Sequence, residues 1–363
     1  MPGKKLYKWK FYHSAKSARA AMIRDIESAT KSIDLEQYIF TLDGTGKKFL
    51  ELLTQKARSG VTVRMLIDAR WRDPHGLDDF KYFSDSITDI LKRAGVKVVI
   101  FNPISPWRLY NVTSWYFRDH KKILIIDGKI AYTGGSGISD FNQRDTNVRI
   151  EGPVLGQIQY AFDKMWTFVT SGKFSRLKKL FYEEYEFAFI TNSPRYRQRH
   201  FYRELLLRLR RAHTRAWFIT PYFVPDIRFL RTLLRKAREG LDVRLLIPTA
   251  TDHPWVDQAG RSYFALLMKA GVRVFIYPDF IHAKNLVIDD WSSVGSFNLD
   301  GVSFFLAHEA NLCSTDSKFT QEVAAQCLED MQAASELGKL AWRNRPLFDK
   351  IRELVTWPIH RFL

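Results

Sequence analysis

The chain reads as an α/β protein of two similar α/β/α sandwich domains packed as a pseudo-twofold pair. Three observations predict this. The pattern His-x-Lys-x4-Asp occurs twice, as His120, Lys122, Asp127 and as His282, Lys284, Asp289, 162 residues apart. A longer stretch repeats around it: Ser32–Asp68 matches Arg215–Pro248, and "LKRAGVKVVIFNP" matches "LMKAGVRVFIYPD". Both copies alternate short apolar runs with helical periodicity, the pattern of parallel or mixed sheets covered by helices.

In each copy the elements run strand, helix, glycine, strand. The helices put Leu50, Leu53 and Ala57, and Leu230, Leu233 and Ala237, on one face at helical spacing. Gly95 and Gly271 stand where a left-handed residue can end a helix without Cβ strain. Ile123–Ile126 and Leu286–Ile288 are continuous apolar runs, read as strands buried on both faces. A charged stretch at about residues 170–187 divides the halves, giving domains 1–175 and 176–340 and a C-terminal segment 341–363. That segment predicts an amphipathic helix opening at Pro346, with Leu347, Phe348, Ile351, Leu354 and Val355 on one face. The first half alone carries an aromatic insertion, Ile104–Phe117, expected to rim the site. The loops after Asp68 and Pro248 end strands, where open α/β sheets place ligands. Arg70 and Arg72 in one are candidates to hold a second phosphate, and Asp252, His253 and Trp255 in the other are candidate headgroup contacts.

With 363 residues, 46% of them hydrophobic, the chain is long enough for two globular domains. Its two cysteines, Cys313 and Cys327, form no CxxC, so a reducing compartment is expected. No apolar signal-peptide core opens the sequence and no run approaches 18 apolar residues, so a peripheral protein at the cytoplasmic face of the membrane is expected. The net charge of +17 implies a polyanionic partner, nucleic acid or an anionic membrane. Ten Trp, fifteen Tyr and 27 Phe favour the membrane, because Trp and Tyr suit the headgroup boundary.

The repeated motif carries the chemistry. Residues two apart on a strand share a face, so each His projects with its Lys. A nucleophilic imidazole beside a fixed cation suits attack on a phosphodiester, because the cation offsets charge on the non-bridging oxygens. Two imidazoles allow one to attack while the other protonates the leaving oxygen. A Gly/Ser turn follows each motif: Gly134, Gly135 and Ser136 in one half, Gly295, Ser296 and Asn298 in the other. Ser136, Ser296 and Asn298 are candidate phosphate ligands. Asp145 lies 25 residues after His120 and Glu309 lies 27 after His282; such carboxylates can fix imidazole tautomers. Asp127 and Asp289 are expected to brace the strands. No HExxH, Cys/His cluster or acidic triad is present in the sequence, and no metal or cofactor is expected.

At these residues, from about Ser32 to about Cys313, the chain resembles the phospholipase D superfamily. The "YIF…DG" opening and the "RDHKKILIIDG" and "RDTNVRIEGPV" blocks resemble bacterial cardiolipin synthases. The resemblance implies a bilobal fold, one shared active site, a phosphohistidine intermediate and no metal. It implies transfer between two phosphatidylglycerol molecules, giving cardiolipin and glycerol. A phospholipase D or endonuclease using water, and an inactive membrane-binding protein, are the alternatives. The family pattern has Asn two residues after the second Gly of the first turn, where Gly137 stands here. Phosphate binding in the first half is therefore expected to rest on Lys122, Ser136 and backbone donors.

Overall fold

The computed structural model describes residues 7–69, 85–102, 117–141, 144–173, 186–194 and 198–345. Arg70, Arg72, residues 104–116 of the insertion, most of the boundary stretch and the predicted helix after Pro346 lie outside them. The first half contributes β1 (Lys8–Tyr12), β2 (Ser32–Gln37), β3 (Thr62–Asp68), β4 (Lys97–Phe101), β5 (Arg118–Asp119), β6 (Ile123–Ile126), β7 (Ile130–Gly134) and β8 (Asn147–Glu151). The second contributes β9 (Phe187–Ser193), β10 (Gln198–Arg199), β11 (Arg215–Ile219), β12 (Phe223–Val224), β13 (Asp242–Pro248), β14 (Arg273–Tyr277), β15 (Asn285–Ile288), β16 (Trp291–Gly295), β17 (Leu299–Asp300), β18 (Ala307–Ser314) and β19 (Ser335–Glu336).

Besides a separate two-stranded parallel pair, β12 with β17, the strands form two mixed sheets. One has the order β1-β8-β7-β6-β2-β3-β4, and the other repeats it as β9-β18-β16-β15-β11-β13-β14, with β10 and β19 added at its edges. In both, the last three strands run parallel and the rest antiparallel. The repeat thus begins earlier in each half than the sequence match, at β1 and β9.

Alternation along the strands builds the layers. Leu124 and Ile126 face an outer core with Phe49 and Leu53 from the helix Gly44–Arg58. Ile123 and Ile125 face a middle core. In the other half Leu286 and Ile288 face the helices His200–Arg211 and Ile227–Arg238, while Val287 joins the same middle core. The helices Leu155–Ser171 and Ser317–Gln332 feed that shared layer. Asp43, Asp226 and Asp316 cap helix N-termini by accepting backbone N–H groups. Gly95 and Gly271 adopt φ of +92° and +102°, which glycine tolerates at helix ends. Cys313 and Cys327 are both buried thiols. Among the described residues no helix is long and apolar enough to cross a membrane.

Two short cross-links join the halves at the site. β5 pairs in parallel with β18, Arg118 opposite Ala307 and Asp119 opposite His308. Reciprocally, Arg144 bridges Ile281.

Candidate active site

Those cross-links determine which carboxylate meets which imidazole. The His120 N–H donates to the His308 carbonyl at 2.9 Å, and the His282 N–H donates to the Arg144 carbonyl at 3.0 Å. Each histidine therefore lies beside the residue following its partner. His120 Nδ1 meets Glu309 at 3.0 and 3.1 Å, and His282 Nδ1 meets Asp145 at 2.8 Å. The pairing is crossed: each acid reaches the histidine of the other half, not the one it follows in sequence. With Nδ1–H donated to a carboxylate, each Nε2 is the nitrogen available for chemistry.

The lysines are placed alike. Lys122 Nζ donates to the His120 carbonyl and Lys284 Nζ to the His282 carbonyl, both at 2.7 Å. Both are buried, and the Lys122 ammonium also lies 5.2 Å from the Tyr38 ring centroid. Tyr38 packs edge-on against His120, with centroids 4.7 Å apart. Burial pulls Lys122 down to about 8 and Lys284 to about 7, against the opposing pull of Glu309 and Asp145. Burial pushes His120 well below its ordinary value, reinforced by Lys122, Lys284 and His282. His282 is lowered by burial and Lys284, but its Asp145 partner opposes the shift. Burial raises Glu309 to about 7. Both imidazoles and both lysines thus share one electrostatic environment.

The candidate phosphate ligands divide. Among the described residues Ser136 Oγ is buried with no hydrogen-bond partner, so its hydroxyl retains a donor for a phosphate oxygen; Asn298 Oδ1 is also buried and unpartnered, but as an amide oxygen it only accepts and does not itself bind phosphate. Ser296 is already engaged: its Oγ donates to Glu309. The residue at its place in the first half is Gly135, where a Cβ would come 2.2 Å from Asp145 Oδ1. At Gly137 a Cβ would stand 2.9 Å from Ile39 Cβ and 3.0 Å from its carbonyl oxygen, so the asparagine of the family pattern would require Ile39 to move. Asp127 and Asp289 sit beyond the C-terminal ends of β6 and β15, at φ of 52° and 51°. Asp127 accepts N–H groups from Thr30, Lys31 and Ser32, and Asp289 those of His213, Thr214 and Arg215. Their carboxylates fasten turns rather than reach the imidazoles. Hydrogen bonds from those amides hold Asp127 down at about 2 despite its partial burial.

Sequence reasoning missed Ser303, whose hydroxyl donates to Glu309 at 2.6 Å, and a buried ionic cluster behind His120. There Lys121 Nζ contacts Glu36 and lies 3.1 Å from Asp119, while Asp68 accepts the Asp119 N–H at 2.7 Å. Asp119 and Lys121 flank His120, and Glu36 interrupts the apolar pattern of β2; that charge within a strand was the available signal. Strand register places Ile219 at the matching point for Glu36, and Ile281 and Ala283 flank His282 as Asp119 and Lys121 flank His120; all three are fully buried. Lys121→Met should strand two buried carboxylates and lower stability by about 3–5 kcal/mol. A triple replacement copying the other half, Glu36→Ile with Asp119→Ile and Lys121→Ala, should recover most of that loss. Urea unfolding midpoints of the two variants check it.

Two imidazoles, each held by a carboxylate of the other half and followed by a buried lysine, between two like α/β halves, are the arrangement expected of a phosphodiester-transferring enzyme of the phospholipase D type. Residues 22–166 and 205–331 match the family described as "Cardiolipin synthase, PLD-like domain". The cardiolipin synthase of Clostridium perfringens (strain SM101) is 30% identical over 95% of this chain and 74% of its own length. That of Geobacillus sp. (strain WCH70) is 33% identical over 93% of this chain and 68% of its own. The chain belongs to the cardiolipin synthase family, whose members are phosphatidyltransferases with two phospholipase D-like segments. Its fold is similar to the crystal structure of phosphatidylserine synthase from Haemophilus influenzae, with a TM-score of 0.73 at 12% identity over 98% of this chain and 93% of the other.

Proposed function

We propose that the chain makes cardiolipin from two molecules of phosphatidylglycerol. The reading is carried by the crossed His–carboxylate pairs, which present two imidazole Nε2 atoms beside two buried ammonium groups. His120 Nε2 attacks the phosphorus of the first phosphatidylglycerol; the P–N bond forms, the P–O bond to the headgroup breaks, and His282 gives its proton to the departing glycerol oxygen. A hydroxyl of the second phosphatidylglycerol then attacks the phosphohistidine, losing its proton to His282 as the P–N bond breaks. The stronger depression of His120 favours its neutral, nucleophilic form, and Asp145 favours a protonated His282. Lys122, Lys284, Ser136 and Asn298 hold the phosphate oxygens. Ser296, with Ser303, steadies Glu309. The charge of +17 supports docking on an anionic membrane at its cytoplasmic face.

Incubation of the pure protein with phosphatidylglycerol vesicles should yield cardiolipin and glycerol. Phosphatidic acid as the sole lipid product would favour the hydrolase reading instead. The same assay carries a pH signature. The free site releases its lysine protons as pH rises through about 7 to 8, whereas a bound phosphodiester favours the ammonium forms. KM should therefore rise as pH is taken above about 8; a KM flat to pH 10 would contradict the charge assignment.

A further inference from the structure

The Asp252 carboxylate belongs to the second half, and the phosphate chemistry leaves it without a role. It lies in the loop after β13, at the C-terminal end of that strand. Tyr222, nearly buried, donates its hydroxyl to Asp252 Oδ1. Tyr222 directly precedes Phe223, which pairs in parallel register with Leu299, and Leu299 directly follows Asn298. The residue that aims Asp252 is therefore the register neighbour of a phosphate ligand. The loop is pinned: the Thr251 N–H and hydroxyl donate to Asp257 at 2.8 and 2.7 Å, and the His253 N–H donates to Thr251 Oγ1 at 3.0 Å. Asp252 and His253 are half-exposed, with His253 Nε2 3.8 Å from Asp252 Oδ2, and the Trp255 indole beside them is 67% exposed. Asp252 also contributes to the field at Lys284.

A carboxylate whose field reaches a cationic phosphate site repels phosphate and accepts from hydroxyls. If His120 is the nucleophile, glycerol leaves from the opposite side of the phosphorus, and the acceptor must arrive where glycerol left. That is the side of His282, which belongs to the same half as Asp252. In departing glycerol the oxygen next to the scissile bond is the central hydroxyl. In the second phosphatidylglycerol the oxygen next to the attacking primary hydroxyl is also the central one. One acceptor placed there serves both half-reactions.

We propose that Asp252, aimed by Tyr222 and flanked by His253 and Trp255, forms the subsite that accepts the central hydroxyl of the glycerol headgroup and so selects a glycerol acceptor over water or a simple alcohol. The proposal rests on the transfer reaction proposed above. Its test is a partition of one intermediate: phosphatidylglycerol vesicles with added ethanol, reading cardiolipin against phosphatidylethanol. Both products arise from the same phosphohistidine, so a slower first step or a partly unfolded sample leaves their ratio unchanged. Asp252→Asn should lower the cardiolipin to phosphatidylethanol ratio about tenfold, the scale of losing a charged hydrogen bond. Tyr222→Phe should lower it less. Ratios equal to wild type in both variants would overturn the subsite. Wild-type protein forming phosphatidylethanol but no cardiolipin would overturn the reading of phosphatidylglycerol as acceptor, and the subsite with it.

Discussion

His120→Ala and His282→Ala should each abolish cardiolipin formation while leaving the fold intact. Loss of a nucleophile removes the covalent route, a fall on the order of 10^6 in comparable triads. Loss of a general acid costs about 10^2 to 10^4. Neither truncation strands a buried charge. Glu309 keeps the hydroxyls of Ser296 and Ser303, and Asp145 keeps the Thr146 N–H at 2.7 Å. Melting temperatures should therefore stay near wild type while product formation disappears. A substrate with a strongly acidic leaving group, which departs without a proton, separates the two roles. With it, His282→Ala should still form phosphohistidine and His120→Ala should not. Wild-type turnover by either alanine variant would refute the two-imidazole mechanism.

The sequence carried the halves and their chemistry because both are written in local patterns. Apolar runs such as Ile123–Ile126 marked strands that the sheets bury on both faces, but each His and its Lys stand just ahead of those strands rather than on them as expected. The repeat carried the likeness of the two halves, since the second sheet copies the strand order of the first, though that order itself was not read from the sequence. The crossing of Asp145 and Glu309 was not legible. It depends on β5 pairing with β18 and on Arg144 bridging Ile281, and pairings between segments so distant in sequence leave no local trace. Ser296 shows the limit of analogy between halves. Its hydroxyl fills a space that Gly135 must leave empty for Asp145, so one position braces a carboxylate in two different ways. The Glu36–Asp119–Lys121 cluster was half legible. Its charges are plain in the sequence, but their meeting depends on how the segment before β6 lies against β2.

The crossed pairing makes a second prediction with a large effect. Glu309→Gln and Asp145→Asn should each lower kcat by about 10^3 to 10^4, the scale seen when the acid that orients a catalytic histidine is made neutral. They should act on opposite steps. Glu309 holds the Nδ1 of His120, so its loss weakens the nucleophile and slows formation of the phosphohistidine. Asp145 holds the Nδ1 of His282 and supports its protonated form, so its loss slows departure of glycerol and activation of the acceptor. With the acidic leaving group, Glu309→Gln should cut the rate of the phosphohistidine burst, whereas Asp145→Asn should cut it far less and slow the following release. Double variants sharpen the assignment, because residues acting as one unit are not additive. Adding Glu309→Gln to His120→Ala, or Asp145→Asn to His282→Ala, should cost little beyond the histidine change alone. If instead Asp145→Asn suppressed the burst and Glu309→Gln spared it, each acid would serve the histidine of its own half, contrary to the 2.8 to 3.1 Å contacts between halves.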